Sequence, residues 1–281
     1  MDTSPDHRLP DGPRVVRRPP LPPDAIVWEP AERWVRATKG GTTVVDSRRP
    51  LLVWEPDRPV PLYAFPEADV RVDLLRLAPR PPAGRHPGAS ACYDLVVDGE
   101  VTPHAAWSFP GEDLAGHVLF EWFGRAVLDH WYEEETEIFV HPRDPYKRVD
   151  VLPSSRHVRV EIDGTTVADT HRPVLLFETE LPVRYYVPRE EVRLDLLTPT
   201  DHTTRCPYKG VATDYWSWKG AGQVPPNVAW SYPDPLPAVR EISGLVAFYN
   251  EFVDLLVDGE RLERPVTYFS KLYGPGATGR H

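Results

Sequence analysis

Short stretches in which apolar and polar residues alternate recur along the chain and predict β-strands. The stretch from Val158 to Ile162 alternates in this way and leads into Asp163-Gly164. An Asp-Gly pair between two alternating runs favours a two-residue hairpin turn. Gly40-Gly41 holds the same place earlier in the chain, and Asp258-Gly259 marks a further hairpin. The pattern is therefore typical of strands joined by tight turns.

The same alternation predicts further strands in the second half of the chain. They are Tyr185 to Val187, Val192 to Leu197, Tyr215 to Trp218, Leu245 to Tyr249 and Val253 to Val257. Short strands of this kind need a second sheet or closure to cover their exposed edges. The 34 prolines also fit short strands and fixed turns better than long helices. We expect a mainly β fold with little helix, built as a small β-sandwich or half-open β-barrel.

A repeat with an offset of 123 residues divides the chain into two halves. Agreement that extends over about a hundred residues predicts two tandem copies of one domain. The matched pairs are Arg36 to Asp46 with Arg159 to Asp169, Val70 to Leu75 with Val192 to Leu197 after a one-residue gap, and Val101 to Pro110 with Val224 to Pro233.

The domain organisation follows from the repeat. We expect a flexible Pro- and Arg-rich tail at 1–24, a first β-domain at 25–150, a second at 151–269 and a flexible tail at 270–281. The N-terminal tail has an alternative interpretation as a docking arm for an acidic partner. Prolines stiffen the connector from His141 to Leu152, so the two domains are expected to hold a fixed relation.

Composition and charge exclude some partners. A net charge of −10 opposes the electrostatic attraction behind most nucleic-acid binding, so we expect no nucleic acid partner. No apolar run reaches the roughly 20 residues that span a bilayer, and the N-terminus lacks the apolar core of a signal peptide. Two cysteines, Cys92 and Cys206, form no disulfide framework and suit a reducing compartment. We expect a cytoplasmic protein without membrane association.

Several motifs together resemble the tandem form of the domain-of-unknown-function 427 family. The resemblance covers about residues 28 to 265 and implies a small β-barrel-like domain with no settled biochemical activity. The motifs are His141 to Asp150, Leu176 to Thr179, Arg184 to Tyr186, Cys206 to Gly210, Tyr215-Trp216 and Leu245 to Glu251.

Residues found in only one copy indicate where a site was kept or lost. In the second copy Cys206-Pro-Tyr208-Lys209-Gly leads into an aromatic strand, and the first copy has His86-Pro-Gly-Ala in the corresponding region. Positive neighbours such as Lys209 favour the thiolate of Cys206, which is the nucleophilic form. The alternatives are a small buried structural cysteine or, with Asp201 and His202, a metal ligand without recognised spacing.

Glu178, Arg184, Tyr185 and Tyr186 form a second candidate group. A carboxylate and a guanidinium could orient a polar substrate while tyrosines line the wall, or the two charges could form an ordinary surface ion pair. Tyr215 and Trp216 follow on a strand where Trp216 and Trp218 share one face, as core or as the floor of a pocket. His141 and Asp144 are interpreted as fixing a turn.

These residues predict a protein that acts on a small molecule, as a hydrolase or group-transfer enzyme with its pocket in the second copy. Cys206 or Glu178 would be catalytic, and the expected contacts to substrate are Arg184, Tyr186, Tyr208, Lys209, Tyr215 and Trp216. The alternative is a non-catalytic ligand-binding module or an interaction scaffold. We expect no metal and no cofactor, and the sequence leaves open the substrate, the oligomeric state and whether the protein is catalytic at all.

Overall fold

The structure is a computed structural model that describes residues 25–56, 58–79, 86, 88–89, 91–111, 114–123, 125–221 and 224–273. The predicted N-terminal tail and residues 274–281 lie outside the described residues. The rest is mainly β and divides into two tandem units, which confirms the predicted fold class. Each unit packs a seven-stranded sheet against a four-stranded sheet, so of the two predicted architectures the fold is the sandwich.

The strands of the first copy are β1 (Val27–Pro30), β2 (Val35–Lys39), β3 (Thr42–Ser47), β4 (Leu51–Trp54), β5 (Leu62–Pro66), β6 (Leu75–Ala78), β7 (Ala91–Val97), β8 (Glu100–Ser108), β9 (His117–Phe120), β10 (His130–Glu133) and β11 (Thr136–Ile138). Its larger sheet has the order β1-β4-β5-β9-β8-β7-β6, and its smaller sheet has the order β11-β10-β2-β3.

The strands of the second copy are β12 (Val149–Pro153), β13 (Val158–Ile162), β14 (Thr165–Thr170), β15 (Val174–Glu178), β16 (Arg184–Val187), β17 (Leu197–Thr200), β18 (Thr204–Cys206), β19 (Gly210–Ala212), β20 (Asp214–Trp218), β21 (Ala229–Ser231), β22 (Val246–Phe248), β23 (Asp254–Val257) and β24 (Glu260–Arg261). The larger sheet has the order β12-β15-β16-β22-β21-β20-β17, the smaller sheet has the order β14-β13-β23-β24, and β18 pairs only with β19.

Within the residues that the structure describes, helix is limited to short segments. One α-helix, α1 (Tyr268–Tyr273), crosses the boundary predicted at residue 269. The 3-10 segments are Glu67–Asp69, Val72–Leu74, Arg189–Glu191, Leu194–Leu196 and Pro237–Ile242. No helix in the described part of the chain is long and apolar enough to cross a membrane.

The hairpin turns lie where the dipeptides predict them. Asp163 and Gly164 have φ of +50° and +73°, and Asp258 and Gly259 have φ of +54° and +87°. Left-handed values at both positions are those of the turn that matches strand twist. Gly40-Gly41 turns in the same way, with φ of +57° and +77°.

The predicted strand from Val192 to Leu197 is wrong for most of its length. Its backbone N–H groups bond locally, Leu194 to the Val192 carbonyl at 2.9 Å and Leu196 to the Arg193 carbonyl at 3.0 Å. Donors used in this way cannot join a ladder, so a 3-10 turn forms and β17 begins only at Leu197. Alternation of apolar and polar residues over six positions did not distinguish the two structures.

Only one face of each seven-stranded sheet packs against the four-stranded sheet. In the second copy the indole N–H of Trp218 reaches Asp163 of the smaller sheet's hairpin at 3.2 Å. In the first copy Phe65 stacks on Trp131 of the smaller sheet, with ring centroids 6.0 Å apart. We call this the inner face and the opposite one the outer face.

The strand registers identify the residues of the outer face, because directly paired residues point to the same side of an antiparallel sheet. Tyr186 pairs with Ala247, which pairs with Trp230, which in turn pairs with Tyr215. These side chains alternate with the inner-face residues, so they lie on the outer face. The corresponding row of the first copy is Ala64, Leu119, Trp107 and Cys92.

The connector contacts both copies. The backbone carbonyl of Arg143 accepts a hydrogen bond from the Arg33 guanidinium of the first copy at 3.2 Å. The Nε of Arg143 donates to the Pro207 carbonyl of the second copy at 2.9 Å. Asp144 accepts from the Trp54 indole at 3.2 Å, and its backbone N–H donates to the Tyr208 hydroxyl at 2.8 Å. These bonds join the first copy to the β18–β19 hairpin.

We expect Arg143→Ala to lower the free energy of unfolding by about 2 kcal/mol, because a charged donor to a half-buried carbonyl is lost. Arg148→Ala is the matched control in the same connector, since Arg148 is 80% exposed and pairs only with Asp150. That control should cost less than about 1 kcal/mol. Urea unfolding measures both, and equal losses would contradict a specific role for Arg143.

Candidate functional site

The β18–β19 hairpin carries three of the predicted site residues, Cys206, Tyr208 and Lys209. It turns tightly, with Cys206 paired to Gly210. Gly210 has φ of +98°, and a Cβ there would lie 3.4 Å from the Leu236 backbone nitrogen. Glycine is therefore required both for the backbone conformation and for the close approach of the Leu236 segment.

Lys209 and Glu178 form a buried ion pair between the hairpin and the end of β15. Lys147 of the connector lies 3.5 Å from the other carboxylate oxygen, so two ammonium groups share one carboxylate. Burial alone would raise the pKa of Glu178, but the charges of Lys209 and Lys147 outweigh it and lower that pKa. Glu178 is therefore held ionised, and the cluster keeps one positive charge in excess.

Cys206 is half-buried and lies within electrostatic range of this pair. Burial opposes the charged form of Lys209, but its interactions with Cys206 and Glu178 outweigh burial and raise the Lys209 pKa. The same cysteine contributes to raising the pKa of Tyr186, Tyr208 and Tyr215, after burial in each case. The thiol thus lies among phenols and beside an ammonium group.

Four tyrosines surround the hairpin on or beside the outer face: Tyr186, Tyr215, Tyr232 and Tyr249. The Tyr215 hydroxyl lies 2.5 Å from the Thr204 hydroxyl of β18, and the His202 ring lies edge-on to Tyr215 with centroids 4.6 Å apart. Sequence reasoning missed Tyr232 and Tyr249. The copy comparison contained a signal for Tyr232, because its counterpart in the first copy is Phe109.

Arg184 does not pair with Glu178. It makes two hydrogen bonds to Glu251, at 2.6 and 2.8 Å, and both side chains are buried. Its guanidinium also lies over the rings of Trp230, Tyr249 and Phe269, 5.5 to 5.7 Å from their centroids. Phe269 belongs to α1, so this arrangement fixes the C-terminal helix against the second copy.

Trp216 lies on the inner face with Ala229 and Phe248. Only 4% of its surface is exposed, and the Arg189 guanidinium lies 4.9 Å from its ring centroid. The structure therefore separates Trp216 from Tyr215, Lys209 and the other outer-face residues. It belongs to the core, as the structural interpretation of the aromatic strand predicted.

A cleft of about 340 Å³, open solvent at its mouth included, lies where the two copies meet. Pro59 to Pro61 of the first copy form one wall, and Tyr208 and Lys147 form part of the other. His141 also lines the cleft, and burial is the main cause that lowers its pKa to about 4. The cleft thus reaches the same hairpin and the same lysine that hold Glu178.

The first copy carries a different polar cluster at the corresponding place. Glu55 occupies the position of Glu178 and His86 that of Lys209 in the repeat. His86 Nδ1 lies 3.2 Å from Glu55 and Nε2 lies 3.5 Å from Glu121, while its ring stacks on Trp107 with centroids 3.4 Å apart. Sequence comparison noted His86 and matched Glu55 with Glu178, but it missed Glu121.

Arg58 completes this cluster. It donates to both oxygens of Glu121 at 3.2 and 3.0 Å, and its Nε lies 3.1 Å from Glu55. The Trp107 indole N–H donates to Glu55 at 2.9 Å. Two carboxylates therefore face Arg58 and His86, and they raise the pKa of His86. Among the described residues no group of three or more His, Cys, Asp and Glu side chains is arranged to hold a metal ion.

We expect Glu251→Gln to lower the free energy of unfolding by about 3 kcal/mol, because the Arg184 guanidinium would remain buried without its counter-charge. Glu190→Gln is the control, since Glu190 is 66% exposed in its pair with Arg172. That change should cost less than about 1 kcal/mol. Denaturant unfolding measures the free energy of unfolding of both variants. A small loss for Glu251→Gln would contradict a structural role for the Arg184–Glu251 pair.

The first-copy cluster predicts a pH optimum of stability. Burial opposes the charge of His86, but Glu121 and Glu55 outweigh it and raise its pKa above 6.5. That stabilisation is present below pH 6.5 and is lost as pH rises through the folded-state pKa. Burial likewise opposes ionisation of Glu121, but His86 and Arg58 lower its pKa from 4.5 to about 2. This contribution is present above pH 4.5 and is lost as pH falls towards 2.

His86→Gln should therefore destabilise the protein more at about pH 5.5 than at about pH 9. Urea unfolding at the two pH values measures the difference. His130→Gln, at an exposed pair with Glu137, is the control and should show a smaller pH dependence. Equal destabilisation by His86→Gln at both pH values would show that His86 is neutral in the folded protein.

Comparison with known proteins identifies the family of this chain. A search of curated proteins found no match. A family model described as domain of unknown function (DUF427) matches residues 27–134 and 150–259. The two matched segments coincide with the two sandwiches, one for each copy. The chain therefore belongs to the DUF427 family and carries two of its domains in tandem.

Proposed function

We propose that the second copy is an enzyme that acts on a small polar or aromatic metabolite by hydrolysis or group transfer, with Cys206 as its nucleophile. The observation that carries the proposal is the position of Cys206 on one tight hairpin with Lys209, above a buried carboxylate and among tyrosine hydroxyls. A thiol, a fixed cation and hydrogen-bond donors together are the groups that nucleophilic catalysis needs.

The excess positive charge supports Cys206 over Glu178 as the reactive group. Glu178 is held as a carboxylate by two lysines, so it neither donates a proton nor is free to attack. Its role in the proposal is to position Lys209. The ammonium of Lys209 then lies beside the thiol and attracts an anionic substrate. A reducing compartment would keep this thiol in its reactive state.

The remaining predicted residues take different roles. Tyr208 and Lys147 line the cleft between the copies, which would be the entrance for substrate. Tyr186 and Tyr215 would contact the bound molecule from the outer face. Arg184 is engaged by Glu251 and Trp216 by the core, so we assign neither of them to substrate binding.

The alternative is a non-catalytic module that captures its ligand in the cleft, or a scaffold that binds another protein there. The observation that favours it is that residues of both copies and the connector line the cleft, while Cys206 does not. A ligand that raises the melting temperature and is recovered unchanged would support this alternative.

Thiol alkylation of the native protein tests the proposal. Iodoacetamide is attacked by a thiolate, which forms a C–S bond and releases iodide, and peptide mass spectrometry reads each cysteine separately. Cys92 is an internal control because only 4% of its surface is exposed. We expect Cys206 to react at least about tenfold faster than Cys92.

Lys209→Met should slow alkylation of Cys206 by about tenfold, because the positive charge beside the attacking sulfur is lost. Lys219→Met is the matched control in the same copy, since Lys219 is exposed and its ammonium donates only to the Asp195 carbonyl. It should leave the rate unchanged. If both cysteines stay inert until the protein unfolds, Cys206 is structural and the proposed function fails.

A further inference from the structure

The hydroxyl of Tyr186 is buried without a hydrogen-bond partner in the described part of the chain. Its side chain is 0% exposed and stands edge-on to Trp230, with ring centroids 6.5 Å apart. The Trp230 indole can only donate, so it favours the ionised phenol and offers the hydroxyl proton no acceptor. Buried polar groups are nearly always bonded, because an unmade bond is costly. An orphaned hydroxyl on the outer face therefore needs an explanation beyond the stability of the fold.

The fold itself does not require this hydroxyl. The equivalent position in the first copy is Ala64, which pairs with Leu51 as Tyr186 pairs with Val174. The same row of the sheet is thus built in the first copy without a phenol. Tyr186 lies in a row of the sheet whose first-copy counterpart is Ala64, Leu119, Trp107 and Cys92.

The surroundings of Tyr186 make it a hydrogen-bond donor. Burial raises its pKa to about 12, and the charges of Lys209 and Arg184 reduce that rise only in part. The group is therefore a neutral phenol at physiological pH and can donate its proton to an acceptor. Lys209 lies close enough to influence it, so two donors and the Cys206 thiol share one region.

We infer that the Tyr186 hydroxyl, together with the Lys209 ammonium, binds the carbonyl oxygen of an acyl substrate, an ester or a thioester, and stabilises the oxyanion formed when Cys206 attacks. This inference rests on the proposed function and names its substrate class. A preorganised donor without a partner, as the Tyr186 hydroxyl is, beside a fixed cation is a usual means of stabilising the oxyanion of acyl transfer.

The reaction balances as follows from the groups present. The Cys206 thiolate forms a bond to the carbonyl carbon, and the carbonyl π electrons move onto the oxygen held by Tyr186 and Lys209. Those electrons then re-form the carbonyl and expel the alcohol or thiol, which leaves with a proton from water. The hydroxide left by that proton transfer attacks the acyl-cysteine in the second step, which releases the carboxylic acid and returns the thiolate.

Two reagents separate oxyanion stabilisation from thiol reactivity. p-Nitrophenyl acetate acylates a cysteine through a tetrahedral oxyanion, and iodoacetamide alkylates it at a saturated carbon without one. Tyr186→Phe should slow acylation of Cys206 by about 100-fold, the usual effect of losing one such donor. It should leave alkylation within about twofold of the wild-type rate.

Tyr185→Phe is the matched control, because Tyr185 precedes Tyr186 on the same strand and points to the inner face, towards Arg156 and Asp258. It should change neither rate. Tyr186→Phe removes no hydrogen bond within the folded chain, so its unfolding midpoint should equal or exceed that of the wild type. A clear drop in that midpoint would show that the hydroxyl is bonded structurally and would overturn the inference.

The other outcomes are equally decisive. Acylation of Cys206 at the wild-type rate in Tyr186→Phe overturns the inference. An equal loss of acylation and alkylation in that variant also overturns it, because Tyr186 would then only position the hairpin. If wild-type Cys206 is alkylated readily but is not acylated, the inference fails and the proposed thiol function stands. If it reacts with neither reagent, the proposed function itself fails.

Discussion

A seven-stranded antiparallel sheet has two faces, and only one of them can pack against the four-stranded sheet of the sandwich. The other must be covered by something else or left to water. In the second copy the β18–β19 hairpin and α1 cover it, fixed by the Lys209–Glu178 pair, the Tyr215–Thr204 contact and the packing of Phe269 on Tyr249. Because these covers are polar, the second copy has a buried polar region beside its core.

The two copies meet the same constraint with different chemistry. The first copy surrounds Glu55 with Arg58, His86 and Trp107, so each charge has a partner and the rest of the row is apolar. The second copy holds Glu178 between two lysines and leaves the Tyr186 hydroxyl without a bond. A saturated network stabilises a fold, whereas an unsaturated one can bind a ligand. The difference explains why the functional proposal concerns the second copy alone.

Much of the fold followed from the sequence, because its signals are local. The alternation of side chains and the glycines at Asp163-Gly164 and Asp258-Gly259 gave strands and turns, and the offset of 123 residues gave the two domains. The segment from Val192 to Leu197 was misassigned because the backbone N–H groups of Leu194 and Leu196 bond within the segment, although that of Arg193 bonds to the Val167 carbonyl.

The candidate site was predictable only in part. Cys206, Tyr208 and Lys209 are adjacent in the chain, so their proximity needed no tertiary information. The partners of the charged residues did need it: Arg184 bonds to Glu251, 67 residues away, and Tyr186 shares a face with Tyr215 only through the pairing of four strands. Neither relation leaves a local pattern, so the expected Glu178–Arg184 group was divided between two different ion pairs.

The central claim is that the outer face of the second copy is a site where Cys206 meets a carbonyl group. A crystal structure of the protein alkylated by a small chloromethyl ketone tests it most directly, because the ketone oxygen then reports where an acyl oxygen would lie. The account predicts an adduct on Cys206 with that oxygen within hydrogen-bond distance of the Tyr186 hydroxyl and the Lys209 ammonium. An adduct directed into solvent, with the Tyr186 hydroxyl still unbonded, would contradict it.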